Sequence, residues 1–241
     1  MRNRQGSVQK RILFSVFTGV ACLFFFTCGI PVYYVIEPPV AEHIPTSDSV
    51  DASGRYFGFT CPYSASSENS DFMLLGTDIY YRIYNNLDDM NADISSISSR
   101  NTEYSDSGYI KMTELNYQQL WLASGESPVV KKTSSTRTIV LRLSTDTGYS
   151  SGLYDLTNSN LISYPLRRGT GSSGSGNMTF DFDSENNHPV SGDQDTKIRE
   201  GYDNEGAWYV NLYAVTVGRD SSLAYQYSSL LHLGSLKIEE H

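Results

Sequence analysis

The chain has 241 residues, 39% of them apolar, and a formal net charge of −9. That length suits one large domain or two small ones, and the sorting of apolar residues into separated short blocks excludes a disordered chain. The acidic balance argues against nucleic acid and anionic lipid surfaces as charge-selected partners.

The first element is "MRNRQGSVQKR", basic, followed by "ILFSVFTGVACLFFFT", sixteen residues without a charge. Charges then an apolar run is the order of a bacterial secretory signal. As a helix, Ile12 to Thr27 spans about 24 Å, short of the roughly 30 Å hydrocarbon layer, so it suits a translocon better than a permanent span. Pro31 and the closing "EPP" turn the chain extended soon afterwards. If residues 1–27 are cleaved, Arg2, Arg4, Lys10 and Arg11 leave with no Asp or Glu; Lys plus Arg falls from 18 to 14 against 27 acids, and the remainder carries 14 − 27 = −13.

The basic start, the apolar core and "FFTCG" resemble the signal of bacterial lipoproteins, with Cys28 in the place of the lipid-modified cysteine. "TCGIPVYYVIEPP" is similar in particular to treponemal lipoproteins, which follow the cysteine with Gly, an aliphatic residue, Pro and aromatics. The resemblance implies a diacylglyceryl thioether on Cys28 and a palmitate-bearing, membrane-tethered protein of the cell envelope. The chain departs from the usual motif in the bulk of Phe25 and in Thr27 before the cysteine. Cys22, after "GVA", is the alternative anchor, and a signal without lipid is a third possibility. With cleavage before Cys28 only Cys61 remains in the folded part, read as a small buried strand residue; with Cys22 as anchor, Cys28 could pair with Cys61.

Residues 28–54, with three prolines in "EPPVAEHIPTSDSVDASG", read as a lipid-anchored extended tether. From residue 55 the pattern changes to strand-like blocks: "RYFGFTC", "TDIYYRIYN", "YIKMTEL", "RTIVLRL", "LISYPLR", "NMTFDFD", "AWYVNLYAVTVG" and "SSLLHLGSLKI". Turns rich in Ser, Gly, Asn and Asp separate them, which predicts a mainly β, antiparallel sandwich over 55–241. Alternation puts Ile79, Tyr81 and Ile83 on one face against Asp78, Tyr80, Arg82 and Tyr84. It likewise puts Trp208, Val210, Leu212 and Ala214 against Tyr209, Asn211 and Tyr213, and the first set of each is expected in the core. "NNLDDMNADISSISS" breaks the rhythm: Leu87, Met90, Ile94 and Ile97 recur at helical spacing, with Asn86 placed to cap the start and Asp88 and Asp89 in the first turn. One short amphipathic helix is expected there.

"LLGTDIYYR" and "WYVNLYAVT" resemble the third and sixth strands of fibronectin type III modules, with Ile79 and Tyr81 in one and Trp208, Val210, Leu212 and Ala214 in the other. Roughly 120 residues separate the two blocks, far more than in a simple module. The resemblance therefore implies a fibronectin type III or immunoglobulin-like sandwich elaborated by a large insertion near 85–206.

Candidate sites are few. "GTGSSG", Gly169 to Gly174, has the letters of a dinucleotide loop, but a strand rather than a helix is expected after it, so it reads as a flexible loop. Asp181, Asp183, Glu185, Asp193 and Asp195 crowd one segment, yet Asn186 and Gly192 stand where a calcium loop needs Gly and Glu. His43, His188, His232 and His241 share no metal spacing, and no GxSxG elbow exists. No catalytic residue, metal or cofactor is expected, although paired carboxylates cannot be located from sequence. The compositional excess is Tyr, 18 residues, several on outward faces of the expected strands. Tyr80, Tyr84, Tyr209 and Tyr213 are therefore the candidate ligand-binding residues. The expectation is a non-enzymatic envelope lipoprotein with an interaction or structural domain. The rivals are a carbohydrate- or peptide-binding module using those Tyr faces and an envelope hydrolase.

Overall fold

The computed structural model describes residues 35–46, 51–63, 71–121, 127–143, 149–163, 166–168, 178–182 and 187–240. The expected secretory signal, Cys22, Cys28, the "GTGSSG" run, Asp183, Glu185 and His241 lie outside the described residues. The strands in chain order are β1 (Val40–His43), β2 (Phe57–Cys61), β3 (Phe72–Tyr84), β4 (Gln118–Gln119), β5 (Val130–Lys131) and β6 (Arg137–Arg142). They continue with β7 (Gly152–Asp155), β8 (Asn160–Ser163), β9 (Thr196–Lys197), β10 (Ala207–Asp220), β11 (Tyr225–Tyr227) and β12 (Leu231–Glu239). Two helices, α1 (Leu87–Ser98) and α2 (Ser107–Glu114), lie between β3 and β4.

The architecture is mainly β, with two antiparallel sheets. One runs β1-β2-β6-β7-β8. The other is built on the long pair β3 and β10, in register from Tyr209 opposite Tyr84 to Asp220 opposite Phe72. β11 and β12 flank β10; β4, β5 and, in parallel, β9 flank β3. A bulge shifts the β3–β10 register between Val217 and Gly218. Beside it Gly76 sits at φ +152°, where a Cβ would run into the Val130 carbonyl of the neighbouring strand, so only glycine fits.

Alternation along the strands sorts the side chains into two cores. Between the sheets, Phe57, Phe59, Ile139, Leu141 and Leu153 meet Ile79, Tyr81, Ile83, Trp208, Val210, Leu212 and Ala214, the residues expected to point inward. Cys61 is buried here as a free thiol, its pKa pushed up to about 12, chiefly by loss of solvent. On the far side of the β3–β10 sheet a second core joins Tyr80, Tyr84, Tyr213, Val215 and Val217 to Met90 and Ile97 of α1 and Met112 of α2. The molecule thus has three layers: sheet, sheet and helices.

Helix α1 forms as its sequence predicts. The Asn86 side chain accepts from the Asp89 N–H at 3.1 Å, and Met90 and Ile97 are buried, although Leu87 is exposed. The second helix corrects the expectation of one. "YIKMTEL" was expected as a strand because Tyr109, Ile110 and Thr113 favour extended backbone. Burial of Met112 in the second core, and of Gly108 against Asn101, outweighs that local preference. The helix also depends on Gly108, whose missing Cβ lets Asn101 approach. Asn101 then clamps Leu230 in both directions, its Nδ2 donating to the carbonyl and its Oδ1 accepting from the N–H, each at 2.8 Å.

Three other segments differ from expectation. The stretch 37–54 contains the edge strand β1, Ile36 is already buried, and Asp51 caps a short 3-10 turn, Ala52–Gly54. The prolines suggested a free tether, but they flank a strand paired to β2. The described part of "NMTFDFD", residues 178–182, belongs to no strand. Its alternation still holds, since Phe180 and Phe182 are buried, Phe180 edge-on to Tyr81 at 4.9 Å. The residues between β3 and β10, expected as an insertion, supply three of the five strands of the first sheet, β6, β7 and β8.

Candidate functional site

The tyrosines singled out from sequence do point away from the sandwich core, but the helices cover three of them. Tyr80, Tyr84 and Tyr213 are 8%, 0% and 3% exposed. Tyr209 is half-buried against the same cluster. They therefore form no open ligand surface, which corrects the expectation placed on them. The physical reason is the third layer: α1 and α2 exclude water from that face, and burial raises the pKa of Tyr80, Tyr84 and Tyr213 well above the ordinary phenol value.

Beneath the helices runs a continuous polar chain. Lys197 Nζ donates to Asp93 Oδ1 at 2.8 Å, and the Tyr84 hydroxyl bonds Asp93 Oδ2 at 3.1 Å and the Tyr117 hydroxyl at 3.0 Å. Asn211 Nδ2 donates to the Tyr117 oxygen at 2.8 Å, and His232 Nε2 meets Asn211 Oδ1 at 2.6 Å. Burial lowers the His232 pKa to about 4, so the ring is neutral near pH 7 and its Nε2 carries the proton given to Asn211. Each residue of this polar chain has a hydrogen-bond partner, the arrangement a covered structural network requires.

The acidic segment serves a second structural purpose. Asp193 and Asp195 are both buried and hold the guanidinium of Arg168, which is fully enclosed. Arg168 Nη2 donates to Asp195 Oδ1 at 2.7 Å and Asp193 Oδ2 at 2.9 Å, its Nε donates to Asp195 Oδ2 at 2.8 Å, and the Tyr81 hydroxyl donates to the same oxygen at 2.7 Å. Among the described residues no group of His, Cys, Asp or Glu is placed to hold a metal.

The open aromatic site lies on the other sheet. In β6 the inward residues are Ile139 and Leu141, so Val140 and Arg142 face outward, and β7 sets Tyr154 directly opposite Val140. Tyr56 before β2, Tyr149 and Ser150 before β7, and Leu156 after it complete a groove of about 510 Å³. One wall is a four-member stack. The His43 ring lies on Tyr56 at 4.0 Å, and the Arg142 guanidinium carbon sits 5.1 Å from the centre of Tyr56 and 4.0 Å from that of Tyr149.

Backbone carbonyls hold Arg142 in that slot. Its Nη1 donates to Ala52 O at 2.9 Å and Arg55 O at 3.4 Å, and its Nη2 to Ser53 O at 3.3 Å. The 3-10 turn is in turn fixed by Asp51, whose Oδ1 accepts from Ser53 N, and by His43 Nε2 at 3.0 Å from Gly54 O. A planar cation between two rings is attracted by both, at about 0.5–1 kcal/mol per ring when exposed. The groove is therefore rigid on one side, with Tyr149 and Leu156 41% and 56% exposed at its mouth.

The described residues lining this groove include one cation and no carboxylate. Stacking and donation of hydrogen bonds are the chemistry they offer. Of the lining residues, Tyr56, Val140 and Arg142 fall in the expected strand blocks "RYFGFTC" and "RTIVLRL", whereas Tyr149, Ser150, Tyr154 and Leu156 fall in none. Only the fold brings them together.

Comparison with known proteins finds no match: no family model, no curated protein and no solved structure corresponds significantly to this chain.

Proposed function

We propose that this chain is a membrane-anchored lipoprotein of the cell envelope, tethered through Cys28, whose β-sandwich is a non-enzymatic interaction domain. The observation that carries the interaction reading is the open groove around Arg142, in which three tyrosines and a fixed cation remain accessible on an otherwise solvated sheet face. Aromatic rings and Arg are the side chains enriched where proteins bind partners. The anchor reading is supported by the basic, then apolar, then "FFTCG" order of the first 29 residues. Since Ile36 is already packed in the domain, the tether is shorter than the sequence suggested, at most eight residues from Cys28 or about 28 Å fully extended. Such a tether keeps the groove near a membrane surface.

Labelling with palmitate in the native membrane tests the anchor. The wild-type chain is expected to take up label and sediment with membranes, and Cys28→Ser to do neither. Retention of both by Cys28→Ser would remove Cys28 as the tethering point, and loss of both in Cys22→Ser alone would move it to Cys22.

A further inference from the structure

Resting on the interaction-domain reading, the geometry points to the occupant of this groove: a glycan that carries a carboxylate, its ring faces on Tyr149 and Tyr154 and its carboxylate at Arg142. Three observations select this class. The floor strand β6 is hydrogen-bonded to β2 on one side and β7 on the other, so its backbone is already paired. A ligand recognised through main-chain ladders, as extended peptides are at sheet edges, has no free edge here. Recognition must come from side chains, and the side chains present are flat phenol rings with one apolar residue, Val140, between them and Leu156 at the rim.

The charge is the second selector. Arg142 is the single charged residue among the described lining residues, in a chain of net charge −9 that repels anions elsewhere. A guanidinium has five N–H donors. The three bonds to Ala52, Arg55 and Ser53 occupy both hydrogens of Nη1 and one of Nη2, which leaves the Nε hydrogen and one Nη2 hydrogen unused by described residues. Two adjacent N–H groups on one edge match the two oxygens of a carboxylate. The third selector is exposure: Tyr149 has one face against the guanidinium yet remains 41% exposed, so a ring surface is available beside the cation. At about 510 Å³ the groove suits a short oligosaccharide.

The test is calorimetric titration of the full-length, detergent-solubilised protein with three probes: a β-1,4-linked glucuronic acid trisaccharide, the neutral β-1,4-linked glucose trisaccharide, and an extended acidic tetrapeptide. The acidic trisaccharide is expected to bind about tenfold tighter than the neutral one, the preference a charge-assisted pair supplies near solvent. Arg142→Gln should erase that preference, and Tyr149→Ala, at an exposed position that does not support the fold, should weaken both sugars about fivefold. Equal binding of the two sugars, or binding indifferent to Tyr149→Ala, overturns the proposal. Binding of the tetrapeptide but not the sugars, lost in Tyr149→Ala, overturns the ligand class while leaving the groove as an interaction site. Binding of none of the three probes overturns the glycan assignment and leaves the Cys28 anchor, read by palmitate labelling, unaffected.

Discussion

The two outward faces of this sandwich both carry tyrosines, and they have opposite fates. On β3 and β10, Tyr80, Tyr84 and Tyr213 disappear under α1 and α2, where Tyr84 is hydrogen-bonded to Asp93 and Tyr117, and Tyr80 to Tyr109. On the β6–β7 face, Tyr154 and the flanking Tyr56 and Tyr149 stay at an open groove around Arg142. Period-two alternation tells which side of a strand a residue occupies; it does not tell whether a further layer lies on that side. A polar-tipped aromatic satisfies both situations, because its ring can be buried and its hydroxyl bonded, or its ring can stack on a ligand.

The largest effect that separates the two faces is deletion of a ring from each. Tyr84→Ala removes a fully buried side chain and should cost about 3–5 kcal/mol of stability in urea denaturation. Tyr149→Ala removes an exposed ring and one cation–π contact, and should cost no more than about 1 kcal/mol. Comparable losses for the two variants would mean that the groove wall supports the fold as strongly as the helix-covered core.

Acid should weaken the covered face selectively. His232 has its pKa lowered from 6.5 to about 4 by burial beside Tyr213 and Asn211. The unfolded chain therefore binds this proton first, so the contribution is complete above about pH 6.5 and is lost as pH falls toward 4, by about 2–3 kcal/mol over that window. Asp78 acts in the opposite direction. Burial raises its pKa despite hydrogen bonds from Val129 N, Gln119 and Ser127, so protonation below that raised value costs the folded state less than the unfolded one. The difference between wild type and His232→Gln, measured by denaturation from pH 7 to pH 4, isolates the histidine. A difference independent of pH would show that His232 titrates alike in both states.

Much of the sandwich was legible because strand alternation is a local property. Ile79, Tyr81 and Ile83 and the series from Trp208 to Ala214 reached the core as their spacing implied, and Asn86 capped α1 because a polar cap followed by apolar residues at three and four has few other uses. What failed was non-local. α2 was hidden by the extended preferences of Tyr109 and Ile110, β1 by its flanking prolines, and the Arg168 clamp by the absence of any sequence mark linking it to Asp193 and Asp195 across a glycine-rich stretch. The groove was invisible for the same reason. His43, Tyr56, Arg142 and Tyr149 come from four separate segments, and no residue among them has a neighbour in sequence that announces the stack.

The finest distinction between the faces concerns single oxygens. Tyr84→Phe keeps the ring and removes a hydroxyl shared between Asp93 and Tyr117, in a place where water cannot replace it. Asp93 retains Lys197 at 2.8 Å and Arg82 at 3.8 Å, so the expected loss is about 1–2 kcal/mol rather than the full cost of a stranded carboxylate. Tyr154→Phe removes a hydroxyl that donates to Ser150 O at 3.1 Å in an exposed setting. Solvent takes over both groups there, and stability should change by less than about 0.5 kcal/mol. The two isosteric changes delete the same atom from the same residue type, so any difference in their denaturation midpoints reports the covering helices directly. If Tyr154→Phe proved the costlier of the two, the hydroxyl at the groove would be fixing the turn before β7, and the groove rather than the helix layer would be the more rigid face.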